Sequence, residues 1–178
     1  MKILTITGSL AKNSINKKLY ALIKPLAPQD FEFEEADISQ IPFFNVDIEN
    51  PIPESVAAFK ERVKNADAVL FITPEHNRSI PGVLKNAIDW GSRPFGKGVW
   101  IKKPAAVLGA SPSAMGAFAA QTQLRSLLSF LGAKGMYQPE IYLNFSANVD
   151  KEGNLSDSSK TLFNRFFAEF KSQIPQNA

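Results

Sequence analysis

The sequence predicts an α/β protein in which helices cover both faces of a parallel β-sheet. Short apolar runs rich in β-branched residues alternate with longer segments whose apolar residues recur at helical spacing. Two of the short runs, 68–73 and 105–110, are apolar almost throughout, which is typical of strands buried on both faces. The length of 178 residues fits one domain, so we expect residues 1–178 to form a single domain.

The chain begins with a strand, predicted over 2–7, in which apolar residues and threonines alternate. A helix is predicted to follow from Asn13 or Ser14, because either residue suits an N-cap. The apolar residues that follow recur at helical spacing as far as Pro25 and Pro28, where we expect the helix to end.

A second strand is predicted over 31–36, and residues 39–53, rich in Pro, Asn and Asp, predict a loop. The apolar cluster at 41–44 in this loop either packs on the body of the protein or contacts a ligand or another subunit. The same alternation continues to the end of the chain. It predicts helices over 54–65, 82–90, from after 116 to about 131, and from about 156 to 173, and strands over 68–73, 105–110 and 136–143.

Five strands that alternate with five helices restrict the topology severely, because parallel crossovers are right-handed. The simplest solution is a flavodoxin-like three-layer sandwich with a five-stranded parallel sheet of order 2-1-3-4-5. Ligands of such sheets bind beyond the carboxyl ends of the strands, near the point where the strand order reverses. The loops after strands one, three and four are therefore the predicted site.

Composition limits the chemistry that this chain can perform. It has no cysteine and one histidine, His76, so disulfides, thiolate nucleophiles and multi-histidine metal sites are excluded. Few strong acid–base groups remain, which favours a bound cofactor as the carrier of the chemistry. No metal is expected.

Charge and hydropathy indicate which partners to expect. The net charge is +3 and the lysines and arginines are dispersed, so we expect no nucleic-acid partner but a mild preference for anionic ligands. No run resembles a signal peptide or approaches the ~18 apolar residues that span a bilayer. We therefore expect no membrane association and a cytoplasmic location.

The first loop, residues 8–16, lies between a strand and the start of a helix. Free backbone N–H groups and the helix dipole favour an anion there, and Ser9, Ser14 and Asn16 add polar side chains. The loop matches neither the Walker phosphate-binding motif nor the dinucleotide fingerprint. The alternative interpretation is that these side chains only cap the helix.

The second and third loops are suited to a flat ligand. Prolines at 74 and 81 flank residues 75–80, so a stiff backbone there can present N–H groups to the edge of a heterocycle. His76 is either an exposed loop residue or stacks on an aromatic ligand. The small residues of 109–116 allow a ring to approach the backbone, although an ordinary turn with a serine N-cap explains them equally well.

Taken together, the three loops resemble those of the NADPH-dependent FMN reductase family, which includes quinone and chromate reductases. The family's first loop reads approximately G-S-x-R-x-x-S-x-N, and this chain has G-S-L-A-K-N-S-I-N at 8–16. The second family segment reads P-E-Y-N-x-S-x-P-G-x-L-K-N-A-I-D-W, and 74–90 read P-E-H-N-R-S-I-P-G-V-L-K-N-A-I-D-W. A small-residue loop at 111–116, A-Q-T-Q-L-R at 120–125 and L-G at 131–132 complete the resemblance.

This resemblance implies FMN as the cofactor, with its phosphate on the first loop and its isoalloxazine ring against the other two. No catalytic side chain is identified. Two departures from the family pattern stand out: Ala11 replaces an arginine, for which Lys12 can substitute, and His76 replaces a frequent tyrosine. The residues implied to bind FMN are Ser9, Lys12, Ser14, Ile15, Asn16, Pro74, Glu75, His76, Asn77, Ser111, Ser113 and Gly116.

The implied activity is hydride transfer from NADPH or NADH through FMN to a quinone, free flavin or similar small-molecule electron acceptor. The family forms homodimers or homotetramers, which makes Phe43, Phe44, Trp90 and Phe95 candidate contact residues. One alternative is a flavodoxin-like FMN-binding electron carrier without NAD(P)H activity, disfavoured because flavodoxins are usually acidic. Another, suggested by Ala11, is a regulatory or structural protein that has lost the cofactor.

Overall fold

A computed structural model describes residues 1–175 of the chain. The sheet runs in the order β2-β1-β3-β4-β5, with β6 paired to β4 beyond the end of β5. Each of these pairings is parallel. This is the predicted flavodoxin-like order. The strands are β1 (Lys2–Thr7), β2 (Glu32–Glu35), β3 (Ala68–Ile72), β4 (Pro104–Ser111), β5 (Lys134–Gly135) and β6 (Tyr142–Asn144).

Helices cover both faces of the sheet, as the sequence predicts. Apolar side chains of the first and last helices pack on one face, and those of the second, third and fourth pack on the other. The helices are α1 (Ile15–Ile23), α2 (Glu54–Asn65), α3 (Gly82–Gly91), α4 (Phe118–Phe130), α5 (Phe145–Asn148) and α6 (Asp157–Gln173). The first four strands and the long helices lie within two residues of their predicted bounds.

The fifth strand differs from its prediction. Instead of one strand over 136–143, two short strands pair with β4 in succession: Lys134 lies opposite Pro104, and Tyr142 opposite Gly109. Pro139 lies between them and has no backbone N–H to donate to a ladder. The short helix α5, which the sequence did not predict, follows β6 and is capped by the Asn144 side chain.

The core forms on both sides of a central strand that is fully buried. All five residues of β3 are buried, as their apolar run predicts. On one face, a phenylalanine stripe on α6 meets α1 and the start of β2, with Phe31 and Phe170 edge to face at 6.1 Å. None of the helices among residues 1–175 is long and apolar enough to cross a bilayer.

The loop at 39–53 is held along α3 by side-chain hydrogen bonds. Asn86 accepts from Phe44 N at 2.8 Å, and the Trp90 indole N–H donates to Pro42 O at 2.8 Å. Phe44 packs edge to face on Trp90, whose side chain is fully buried. The expectation that Trp90 contacts another subunit is therefore wrong. Phe43 and Phe95, by contrast, are 82% and 90% exposed.

Candidate functional site

The three predicted loops leave the sheet side by side. Gly8 N donates to Ile72 O at 2.8 Å, and Thr73 N donates to Leu108 O at 2.9 Å. These bonds join the carboxyl ends of β1, β3 and β4 in one row. The loops that follow these strands therefore begin at the same edge of the sheet, which we call the rim.

The first loop presents a helix N-terminus that suits an anion. Ser14 is the N-cap of α1, and its hydroxyl accepts from Asn16 N at 3.2 Å and Lys17 N at 3.4 Å. The first turn of α1 carries no acidic side chain, and Lys12 is exposed just before it. The hydroxyl of Ser9 accepts from Ala11 N. Backbone dipoles and a lysine thus give this loop positive potential.

Asn16 joins the first loop to the third. Its side chain is buried, with its amide donating to Ala110 O at 3.1 Å and accepting from Ala110 N at 2.9 Å. Both polar atoms of the side chain therefore hold the end of β4 against the start of α1. Its contact with an FMN phosphate stays a prediction.

A cavity of about 220 Å³ opens beside the first loop, at the carboxyl ends of β1 and β2. Asp37 lines it, and the pKa of this carboxyl is lowered by the backbone N–H of Ser39. Glu35 lines it as well, so the cavity suits a phosphate less well than the N-terminus of α1 does. The lining residues are Thr5, Thr7, Ser9, Leu10, Lys17, Glu35, Ala36, Asp37 and Ile38.

The second loop contains a tight turn. His76 and Ser79 exchange two backbone hydrogen bonds of 3.0 Å, and Asn77 and Arg78 between them have φ of 51° and 63°. Two successive left-handed residues are characteristic of a type I′ turn. Within residues 1–175, the N–H groups of Asn77 and Arg78 donate to no protein acceptor. The turn therefore presents these two N–H groups as available donors at the rim.

Glu75 connects the second loop to α4. Its Oε2 accepts from Ala119 N at 2.8 Å and Ala120 N at 3.2 Å, and its Oε1 lies 3.3 Å from Arg78 Nη1. The N-cap position of α4 is Ala117, which has no side chain that can accept these bonds. Sequence reasoning missed this role. The available signal was a helix that begins without Ser, Thr, Asp or Asn before it.

The third loop is tightly packed rather than open at its two glycines. A Cβ at Gly109 would lie 2.5 Å from Thr73 O, and one at Gly116 would lie 2.1 Å from the Tyr142 carbonyl carbon. Gly116 also has a φ of +53°. The absence of side chains at these two glycines is required by protein packing, and the approach of a ring to this loop stays a prediction. Gly116 as an FMN contact stays a prediction.

Between the two glycines, the serines of the third loop remain accessible. The Ser111 and Ser113 hydroxyls lie 3.1 Å apart, and Ser113 is exposed. The loop is held from below by Gln121, a fully buried residue. Its amide nitrogen donates to Gly116 O at 2.9 Å and Ile141 O at 3.0 Å. A glutamine within the apolar stripe of α4 was the signal that sequence reasoning did not use.

Beside the third loop, a tyrosine supplies no base at neutral pH. Burial raises the pKa of Tyr142, its hydrogen bond to Glu140 adds to the effect, and Arg125 opposes it. Tyr142 therefore remains protonated, and its ring packs against Phe118 at this edge of the rim, with centroids 5.0 Å apart.

The sequence profile of the NADPH-dependent FMN reductase family matches residues 1–148. The chain belongs to this family. It is 40% identical over 176 residues to a 2-hydroxy-1,4-benzoquinone reductase of Burkholderia sp, with 98% of this chain and 96% of the relative covered. It is 43% identical over 159 residues to an NAD(P)H-dependent FMN reductase of Pseudomonas aeruginosa, with 88% and 85% covered.

A solved structure agrees with this membership. The flavoenzyme NAD(P)H:(acceptor) oxidoreductase FerB of Paracoccus denitrificans superposes with a TM-score of 0.91 at 39% identity, covering 97% of this chain and 96% of that one. Membership makes the chain an NAD(P)H-dependent oxidoreductase with FMN as cofactor, and favours this activity over that of a flavodoxin-like electron carrier.

The donors of the rim fit FMN. A phosphate monoester needs positive potential, which the acid-free first turn of α1 and Lys12 supply. The polar edge of an isoalloxazine ring needs backbone donors, which Asn77 and Arg78 offer. The structure gathers the loops of all twelve predicted residues at this rim. The side chains of Asn16 and Glu75 bind backbone atoms of the protein, and contact of either residue with FMN stays a prediction.

Proposed function

We propose that this chain reduces quinones with NADPH or NADH, using FMN held at the rim between its three loops. The observation that carries the proposal is the direct joining of those loops. Asn16 bonds the first loop to the end of β4, and Glu75 bonds the second loop to the start of α4. A ligand with an anionic tail and a flat, polar-edged head matches what these loops offer together.

The residues of the rim have distinct tasks in this proposal. Ser9, Lys12, Ser14 and the backbone N–H of Ile15 hold the phosphate, since they surround the N-terminus of α1. Bound there, FMN would supply the redox chemistry, which is two-electron transfer as a hydride from NAD(P)H and onward to the acceptor, with the second proton drawn from solvent. The chain provides position and electrostatics, and no side chain is assigned as an acid or base.

The ring is assigned to the other two loops. The proposed contacts are the N–H groups of the turn at 76–79, the face of Pro74, and the serines of the third loop. His76 is exposed at the turn, in the position where the family often has tyrosine, so its imidazole can border the acceptor.

A quinone is the proposed acceptor because the relatives that cover nearly the whole chain act on quinones by name. The Burkholderia relative is a 2-hydroxy-1,4-benzoquinone reductase, and one of Pseudomonas putida, 41% identical over 174 residues, is a quinone reductase. We also propose a cytoplasmic location and a single domain over residues 1–178. The two apolar clusters that share one sheet support the single domain.

The visible spectrum of the purified protein tests the assignment. We expect a yellow protein with bound FMN, bleached by anaerobic titration with NADPH or NADH and recoloured by 1,4-benzoquinone. Steady-state oxidation of the nicotinamide should then depend on the quinone. A yellow protein that neither nicotinamide reduces would favour an electron carrier. A colourless protein that fails to bind added FMN would favour a member that has lost its cofactor.

We propose a homodimer or homotetramer. The proposal is supported by exposed phenylalanines, which soluble surfaces rarely leave uncovered in numbers. Phe95 and Phe130 are 90% and 85% exposed, and both line one groove with Ile101. Sedimentation equilibrium of the holoenzyme should give a mass of two or four chains. A mass of 19.6 kDa would contradict the proposal.

A further inference from the structure

The turn of the second loop is attached to α4 at two points. Glu75 accepts hydrogen bonds from Ala119 N and Ala120 N, at the start of the helix. One turn further along α4, the Gln123 side-chain oxygen accepts from the Ser79 hydroxyl at 2.7 Å and from Ile80 N at 3.3 Å. A carboxylate of the loop thus accepts hydrogen bonds from the helix, and an amide oxygen of the helix accepts hydrogen bonds from the loop. We call this pair of attachments the clasp.

The carboxylate of the clasp lies between a helix N-terminus and an arginine. Its side chain is only 11% exposed, it meets the N-terminus of α4, and Arg78 lies 3.3 Å away. A carboxylate at a helix N-terminus is favourable, and its removal would leave the helix dipole and the arginine unbalanced. Glu75 therefore contributes negative charge to this part of the rim, in addition to fixing its shape.

We propose that Glu75 is a positioning residue of the FMN site, which clasps the turn at 74–80 to α4 and lowers the positive potential beside the ring. The inference rests on the proposed function, because it assigns the free N–H groups of that turn to the ring. Glu75 itself touches backbone of α4, and it acts on the coenzyme through the turn and through its charge. Held donors lose less entropy when they bind, so the clasp favours FMN affinity.

Three variants separate the mechanical part from the electrostatic part. Glu75→Ala removes the carboxylate and both of its bonds, whereas Glu75→Gln keeps an oxygen that can accept from Ala119 N but removes the charge. Gln123→Ala releases the other half of the clasp. Glu61→Gln, an exposed residue on α2, is the control for loss of one negative charge away from the rim.

Three measurements give distinct expectations. In the FMN-free protein, amide hydrogen exchange at 117–121 should accelerate in Glu75→Ala and stay near wild type in Glu75→Gln. The Kd for FMN should rise about tenfold in Glu75→Ala, because the turn that presents its donors to the ring is no longer held to α4. The midpoint potential of the bound coenzyme should become more positive in Glu75→Gln, because reduction adds negative charge. Glu61→Gln should leave all three measurements unchanged.

The proposal is overturned if Glu75→Ala exchanges and binds FMN like the wild type, or if Glu75→Gln leaves the potential unchanged. If Glu75→Ala fails to fold, Glu75→Gln and Gln123→Ala decide the question. Amide hydrogen exchange at 74–80 is expected to become faster in Gln123→Ala than in the wild type. If the wild type binds no FMN, the proposed function fails on its own. The exchange measurement then still decides whether the clasp holds the turn.

Discussion

Asn16 and Glu75 show how polar side chains determine where the loops of this rim lie. Both polar atoms of the Asn16 amide and both carboxylate oxygens of Glu75 have protein partners. Each side chain also binds a backbone segment far away in sequence, since Ala110 lies 94 positions from Asn16 and Ala119 lies 44 from Glu75. A family motif names both residues as part of a coenzyme site. Their side chains contribute to that site by joining its loops.

Replacing Asn16 by alanine should destabilise the fold. The change would leave the buried N–H and C=O of Ala110 without partners, which costs about 2–4 kcal/mol of unfolding free energy. Urea unfolding measures the loss. Asn65→Ala, which removes an exposed amide bound to Glu61, should change the free energy by less than about 0.5 kcal/mol. Equal effects in the two variants would contradict the role given to Asn16.

Ala11 occupies the family's arginine position, and restoring arginine should strengthen FMN binding. A guanidinium beside the N-terminus of α1 adds a charge-assisted contact to phosphate, worth about a tenfold lower Kd at low salt. Fluorescence titration of the FMN-free protein measures this. Ala58→Arg, on the exposed side of α2, is the charge-matched control. An unchanged Kd in Ala11→Arg would show that the phosphate lies elsewhere or that Lys12 already suffices.

At the scale of elements, the rim is formed by strand ends that approach one another closely. β4 meets the end of β3 at Gly109, and the third loop meets β6 at Gly116. In both cases a Cβ added to the glycine would overlap backbone atoms of the neighbouring segment. The sequence shows that these residues are small, but the need for glycine comes from the neighbouring backbone, which leaves no room for a side chain. The same elements supply the site and the packing, so a change at the rim affects both.

Gly109→Ala should cost about 2 kcal/mol or more of stability, because the new methyl group would overlap Thr73 O and neither backbone can withdraw. Gly82→Ala is the matched control. No atom lies within 4 Å of that position, at the start of α3, so alanine should stabilise the protein by about 0.4–1 kcal/mol. Thermal and urea unfolding of both variants measure the contrast. Destabilisation of similar size in both would refute the packing argument.

For the whole molecule, exposed carboxyls make stability depend on acid pH. The pKa of Asp37 is lowered by the backbone N–H of Ser39, and that of Asp30 by Lys171. A carboxyl whose pKa is lower in the folded state stabilises the fold above its unfolded value of 3.8, and the contribution disappears as the pH falls through the folded value. Stability should therefore fall as the pH drops below about 4.

Asp37→Asn should make that loss of stability shallower, because the variant has one carboxyl fewer to protonate on acidification. Urea unfolding at a series of pH values from 6 to about 3 measures the slope. Asp47→Asn, in the neighbouring loop, tests whether any lost carboxyl has the same effect. A slope as steep as that of the wild type would show that Asp37 is not among the groups responsible.

The fold class and the place of the proposed site were within reach of the sequence alone. The apolar run of β3, the helical spacing of the phenylalanines on α6 and the polar loops after β1, β3 and β4 are local patterns, and each reports its own surroundings. Alternating strands and helices then leave few topologies, because crossovers have one hand. The family motif added the coenzyme and the class of reaction.

Only the tertiary structure decided which groups the polar side chains bind. Asn16, Glu75 and Gln121 find partners on other elements, and no local pattern encodes the distance to a segment far away in the chain. The same holds for Trp90, which faces the core, and for the fifth strand, which is divided at Pro139. Periodicity records whether a residue is buried, whereas a hydrogen bond depends on where two distant segments meet.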